Sequence, residues 1–162
     1  AGSYFHTPSL GEVVVVAQDI FADLGIYENN RYYTLFEKAF AEKDEFPYED
    51  GWLKNHDSLL DALPEKKVSG LTINTVSENL DFTRTLVQKF RPDIETMEGA
   101  ALHYVCLQEK IPFIQLRAIS NAVGERDKSK WKFNEALENV NKRLIEITDQ
   151  LTETVIKPGN TH

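Results

Sequence analysis

The chain has 162 residues, 41% hydrophobic and 27% charged, with 8 glycines and 6 prolines, a composition that excludes a disordered or fibrous protein. Eighteen Lys and Arg against 26 Asp and Glu give a net charge of -8 with no local basic patch, so nucleic acid and anionic membrane surfaces are poor partners. The single cysteine, Cys106, excludes an internal disulfide and fits a reducing, cytoplasmic setting.

Val13, Val14, Val15 and Val16 predict a buried, β-branched strand. Ile20 to Gly25 reads as a loop or bent strand closed by a glycine turn, and Tyr33, Leu35, Phe36 and Phe40 as a helix. Residues 42–57 mix charge with Pro47 and Gly51 and read as surface loop, and Leu59, Leu60 and Leu63 as a short helix stopped by Pro64. Lys67 to Val76 predicts a strand, and Ser77 a cap for a helix that ends at about Phe90, before Pro92. A short strand over Asp93 to Met97, a helix over Glu98 to Lys110 and a strand over Phe113 to Ser120 follow. Leu137, Val140, Leu144, Ile147, Leu151 and Val155 recur at steps of three and four, the mark of a long amphipathic helix. No apolar run approaches the roughly 20 residues of a membrane-spanning helix. Strands alternating with helices predict one α/β domain over residues 1–162, a mixed sheet flanked by helices.

In such sheets ligands sit at the carboxyl ends of strands, and two strand ends carry polar residues. In Thr96-Met97-Glu98-Gly99-Ala100-Ala101 a strand runs straight into a helix. Glu98 there either favours the helix dipole as a first-turn acid or offers two acceptor oxygens to a vicinal diol such as the ribose hydroxyls. In Arg117-Ala118-Ile119-Ser120-Asn121, Asn121 either turns the chain or reads the edge of a heterocycle with its donor and acceptor. Arg117, inside an apolar strand, is expected to pair with a buried acid. His6, His56, His103 and His162 share no metal-ligand spacing, so no metal site is expected, and His103 reads as structural.

Taken together, Met97-Glu98-Gly99-Ala100-Ala101 and Arg117-Ala118-Ile119-Ser120-Asn121 resemble the nucleoside phosphorylase/nucleosidase superfamily. Val68-Ser69-Gly70-Leu71-Thr72-Ile73-Asn74-Thr75-Val76 resembles that family's strand and loop beside the purine. Ala1-Gly2-Ser3 with Leu10-Gly11-Glu12-Val13-Val14-Val15 resembles its glycine turn and following strand. Within the family, Asp23-Leu24-Gly25 and Val123-Gly124-Glu125-Arg126-Asp127 with Trp131 are most similar to the futalosine hydrolases, which split futalosine, an intermediate of menaquinone synthesis, into hypoxanthine and dehypoxanthinyl futalosine.

The resemblance implies a purine nucleoside as small-molecule substrate, no cofactor, and a homodimer or larger homo-oligomer. It assigns Asn121 to the leaving purine and Glu98 to the ribose as catalytic residues. Met97 would pack under the sugar, Ile73 would stack on the base, and Asn74, Thr75 and Gly2 would border the pocket. Arg126 and Lys128 either meet the carboxylate of futalosine's benzoate arm or belong to a solvated loop, and Trp131 either closes over that arm or anchors the last helix. Adenine-specific relatives carry Asp where this chain has Asn121. An amide N–H can donate to the O6 of a 6-oxopurine, so the resemblance and the hydrogen-bond inventory both favour hypoxanthine or guanine. A purine nucleoside phosphorylase, a methylthioadenosine-type nucleosidase and a catalytically silent nucleoside-binding module are the competing readings. The chain begins at Ala1 and its one methionine is Met97. From this and the family pattern a truncated N-terminus is expected, with the water-activating acid and the partner strands of Val13 to Val16 upstream of Ala1.

Overall fold

The computed structural model describes residues 1–5, 7–75 and 80–156. The strands are β1 (Gly2–Ser3), β2 (Val13–Phe21), β3 (Gly25–Glu28), β4 (Arg31–Thr34), β5 (Leu53–Lys54), β6 (Lys66–Thr72), β7 (Ile94–Thr96), β8 (Leu116–Ala118) and β9 (Asn121–Ala122). The helices are α1 (Leu80–Phe90), α2 (Gly99–Gln108) and α3 (Phe133–Ile156). Among the described residues, seven of the strands form one mixed sheet in the order β5-β2-β6-β7-β1-β9, with β8 also on β2.

The valine run builds the centre of this sheet. With a side-chain period of two, Val14 and Val16 pack with Val68, Ile94 and Ile119 on one face, while Val15 meets Leu60, Leu63 and Ile147 on the other. All three valines are fully buried, as a strand covered on both faces requires. Both edges of β2 find partners inside the chain: β6 runs parallel on one side, and β8 and β5 antiparallel on the other. The expectation that this strand's partners lie upstream of Ala1 is thereby corrected. The strand also runs further than its valines suggest, through Ile20 and Phe21.

Three further readings change, and the long C-terminal helix, found as expected, carries its apolar stripe in an unexpected setting. The helix expected through Tyr33, Leu35, Phe36 and Phe40 is instead the β3–β4 hairpin followed by turns. Asn29 and Asn30 both hold positive φ (51° and 60°), the two-residue turn whose twist suits a hairpin, and Tyr32 and Thr34 bury one face of β4. The segment 42–57 is not all surface loop, because Leu53, fully buried, pairs with Asp19 across β5 and β2. The strand expected over 113–120 keeps its ladder only over Leu116–Ala118. The apolar stripe of α3 is largely uncovered: Ala136 and Ile147 are buried, whereas Leu137, Leu144 and Leu151 are exposed. The proposed cap Ser77 lies outside the described residues.

A third core cluster, of Tyr4, Ile20, Ala22, Tyr32, Leu71, Ile73 and Leu86, fills the space beyond the carboxyl ends of the parallel strands β2 and β6. Helix α1 packs here, and the sheet opens beside it.

Candidate active site

The carboxyl ends of β6 and β7, with β1 and β9 alongside, border a cavity of about 560 Å³. Of the residues singled out in the sequence, Gly2, Ile73, Thr75, Met97, Glu98 and Asn121 all line it. Asn74 does not: its backbone N–H and side-chain amide donate to the Asp23 carboxylate at 2.6 and 2.9 Å, which ties the loop after β6 to the loop after β2. Arg126 and Trp131 line the cavity and Lys128 does not. Trp131 Nε1 donates to the Glu125 carbonyl at 3.1 Å.

Glu98 is the residue before α2, with φ -130° and ψ -11°, and its carboxylate makes no capping hydrogen bond. The helix is capped by threonines instead. Thr96 Oγ1 accepts from Gly99 N at 3.2 Å and Thr72 Oγ1 from Ala100 N at 2.7 Å. Those bonds satisfy first-turn donors that a cap would otherwise serve, so the Glu98 oxygens remain directed to other partners. Arg117 Nη1 stands 3.4 Å from Glu98 Oε2, which replaces the buried acid expected for Arg117 with an exposed one.

Asn121 has both halves of its amide oriented. Ser120 Oγ donates to its Oδ1 at 2.7 Å, and its Nδ2 donates to the Ala122 carbonyl at 3.0 Å. An amide nitrogen carries two hydrogens and its oxygen two lone pairs, so one donor and one acceptor site remain for a ligand.

Beneath the cavity floor lies a polar network that the sequence reading passed over. Asp19, fully buried, accepts from Ile20 N at 2.8 Å and Thr72 Oγ1 at 2.9 Å. Burial raises its carboxyl to about 6 despite those hydrogen bonds. His103, also fully buried, donates from Nδ1 to the Leu53 carbonyl at 2.9 Å, and burial lowers it to about 4. Gln115, oriented by its neighbours, donates to His103 Nε2 at 2.9 Å and accepts from Arg117 Nε at 3.3 Å. A chain of hydrogen bonds thus runs from buried Leu53, His103 and Gln115 out through half-buried Arg117 to the exposed Glu98. A charged Asp19 inside the apolar stretch Val13–Phe21 is the sequence signal that marks this network. Among the described residues no three His, Cys, Asp or Glu side chains gather as a metal site, and no helix is long and apolar enough to cross a membrane.

The family model described as the phosphorylase superfamily matches residues 1–153. A futalosine hydrolase of Thermus thermophilus is 36% identical over 140 residues, which cover 85% of this chain and 61% of that protein. The chain therefore spans about three fifths of that curated relative's length. Among solved structures, a futalosine hydrolase of Helicobacter pylori superposes with a TM-score of 0.69 at 17% identity, covering 93% of this chain and 65% of the other. The 5'-methylthioadenosine/S-adenosylhomocysteine nucleosidase of the same organism gives 0.67 at 20% identity with the same coverage. These structural likenesses establish the fold, a mixed sheet flanked by helices.

Proposed function

The chain belongs to the phosphorylase superfamily, and from that membership we propose that its protein hydrolyses the N-ribosidic bond of a 6-oxopurine nucleoside, with futalosine as substrate and hypoxanthine as the released base. The observation that carries the reading is Asn121, an amide with one uncommitted N–H, in the same cavity as the uncapped carboxylate of Glu98.

In hydrolysis of an N-riboside the C1′–N9 bond breaks with its electron pair passing to the purine, whose growing negative charge is relieved by a proton from solvent at N7. Water adds to C1′ of the electron-poor, oxocarbenium-like sugar and loses a proton. Asn121 Nδ2–H donates to O6 as that charge develops, and its oxygen accepts from a protonated N7. Glu98 accepts from the two ribose hydroxyls and places negative charge beside the cationic sugar. Arg117, 3.4 Å from Glu98 Oε2 and backed by Gln115, holds that carboxylate in place. Met97 and Ile73 supply apolar surface for the sugar and the base. No step requires a cofactor.

The proposal includes a cytoplasmic homodimer. Exposed Leu102 and Val105 on α2 and Leu137, Leu144 and Ile145 on α3 support self-association, which light scattering would test against a monomer. The activity is tested by incubating the protein with futalosine and identifying the base by chromatography, with and without phosphate. Phosphate-independent release of hypoxanthine is expected. Release that requires phosphate would make the enzyme a phosphorylase, and no release would leave a binding module.

A further inference from the structure

We infer that Glu95 is a second specificity residue of this cavity, accepting a hydrogen bond from N1–H of a 6-oxopurine while Asn121 donates to its O6. The inference rests on the purine-nucleoside reading above and deepens it.

Register places the two side chains. Gly2 on β1 is the direct partner of Glu95 on β7 and of Asn121 on β9. Directly paired residues project from the same face of a sheet, so Glu95 and Asn121 rise on one side, their Cα atoms two strand spacings apart, roughly 10 Å. The residue between them has no side chain. A Cβ at Gly2 would stand 3.0 Å from Val123 Cγ2 and 3.5 Å from Asn121 Nδ2, so any larger residue would intrude on this floor. Glu95, Gly2 and Asn121 all line the cavity, and Ile73, Phe82 and Leu86 supply its apolar surface.

Glu95 is held for such a task. The buried Tyr4 hydroxyl donates to its Oε2 at 2.5 Å, which fixes the carboxyl group and leaves the lone pairs of the second oxygen as acceptors. Burial raises its pKa, while the Tyr4 bond and the charge of Arg126 oppose that rise. A carboxylate on an apolar wall is costly unless partnered, and a ligand N–H is such a partner.

The donor–acceptor order then selects the base. A 6-oxopurine presents an acceptor at O6 and a donor at N1, the complement of an Asn121 donor beside a Glu95 acceptor. A 6-aminopurine presents the reverse, a donor at the 6-position and a lone pair at N1. Asn121, its amide oriented by Ser120 Oγ and the Ala122 carbonyl, presents a donor to the 6-position, and an ionised carboxylate at Glu95 cannot donate to N1. Glu95 therefore adds a second mismatch against adenine to the one Asn121 presents.

Calorimetric titration of the full chain with hypoxanthine, 1-methylhypoxanthine and adenine tests this. The wild type should bind hypoxanthine at least about tenfold more tightly than either other base. In Glu95→Ala the penalty for N1-methylation should fall to within about threefold, because the acceptor that N1–H needs is gone. Glu95→Gln keeps an acceptor for Tyr4 and guards against a misfolded alanine variant; it should move the hypoxanthine-to-adenine ratio at least about tenfold toward adenine. An N1-methyl penalty unchanged in folded Glu95 variants would overturn the role of Glu95 alone. A wild type that binds none of the bases would overturn the purine reading and this inference with it.

Discussion

Replacing Gly99 with alanine should uncouple the site from the sheet beneath it. A Cβ built at Gly99 would lie 2.1 Å from Asp19 Oδ2, 2.5 Å from the Gln115 amide terminus and 2.9 Å from Thr96 Oγ1, all closer than real Cβ contacts allow. Asp19 cannot simply swing aside, because its other oxygen accepts from Ile20 N and Thr72 Oγ1. Moving it forfeits two hydrogen bonds to a buried charge, about 1.5–3 kcal/mol each, and moving the helix instead breaks the threonine caps on Gly99 and Ala100. With overpacking costing about 1–3 kcal/mol, a loss of roughly 4–9 kcal/mol follows. For a chain of this size that lowers the melting temperature by at least roughly 8 °C. Calorimetry of the variant measures the loss, and turnover below its transition should also fall because Glu98 rides on the displaced helix end. A variant melting within about 2 °C of wild type would show that the Gly99–Asp19 contact is not close, and would refute this account of how Glu98 is positioned.

Glu98→Gln should lower kcat/KM by at least about a hundredfold while shifting the melting temperature by less than about 2 °C, since the carboxylate caps nothing; a folded variant with full turnover would return Glu98 to a purely electrostatic role at the helix end. Asn121→Asp should move the ratio of hypoxanthine to adenine release about tenfold toward adenine, and should cost some stability because a carboxylate then faces the Ala122 carbonyl that Nδ2 now bonds; an unchanged ratio of released bases would count against Asn121 as a reader of the 6-position. The buried pair Asp19 and His103 should oppose each other as pH falls from 7 to 5. Asp19, raised to about 6 from 3.8, binds protons more readily in the folded state and adds about 1 kcal/mol of stability over that interval. His103, lowered to about 4 from 6.5, must protonate on unfolding and removes about 2 kcal/mol. Denaturant titrations should therefore show Asp19→Asn losing stability more steeply on acidification than wild type and His103→Gln gaining it; parallel pH slopes in all three proteins would contradict these assignments.

The parts of the fold that rest on local pattern were legible. A run of β-branched residues at 13–16 can hardly avoid a buried strand, and the strand-to-helix step at Met97-Glu98-Gly99 follows from the pattern of a short strand running into α2. The β3–β4 hairpin escapes a local reading because Tyr33, Leu35, Phe36 and Phe40 fit a helical spacing although only Tyr33 belongs to β4; the Asn29-Asn30 pair signals the turn. The exposure of Leu137 and Leu144 was hidden for a related reason, since periodicity says that a helix has an apolar face but not what covers it. Gly2, Ile73, Thr75, Met97, Glu98 and Asn121, far apart in the chain, line one cavity. Asp19 and Glu95 were not visible as site residues, because their significance lies in partners 53 and 91 positions away, Thr72 and Tyr4. Such pairings are set by strand order, which no local window contains.

The central claim is that this cavity was built for a 6-oxopurine leaving group, and the ratio of kcat/KM for futalosine to that for methylthioadenosine tests it most directly. With an Asn121 donor at the 6-position, the full-length protein should release hypoxanthine at least about tenfold more efficiently than adenine. Equal or faster release of adenine in the same assay would contradict the claim.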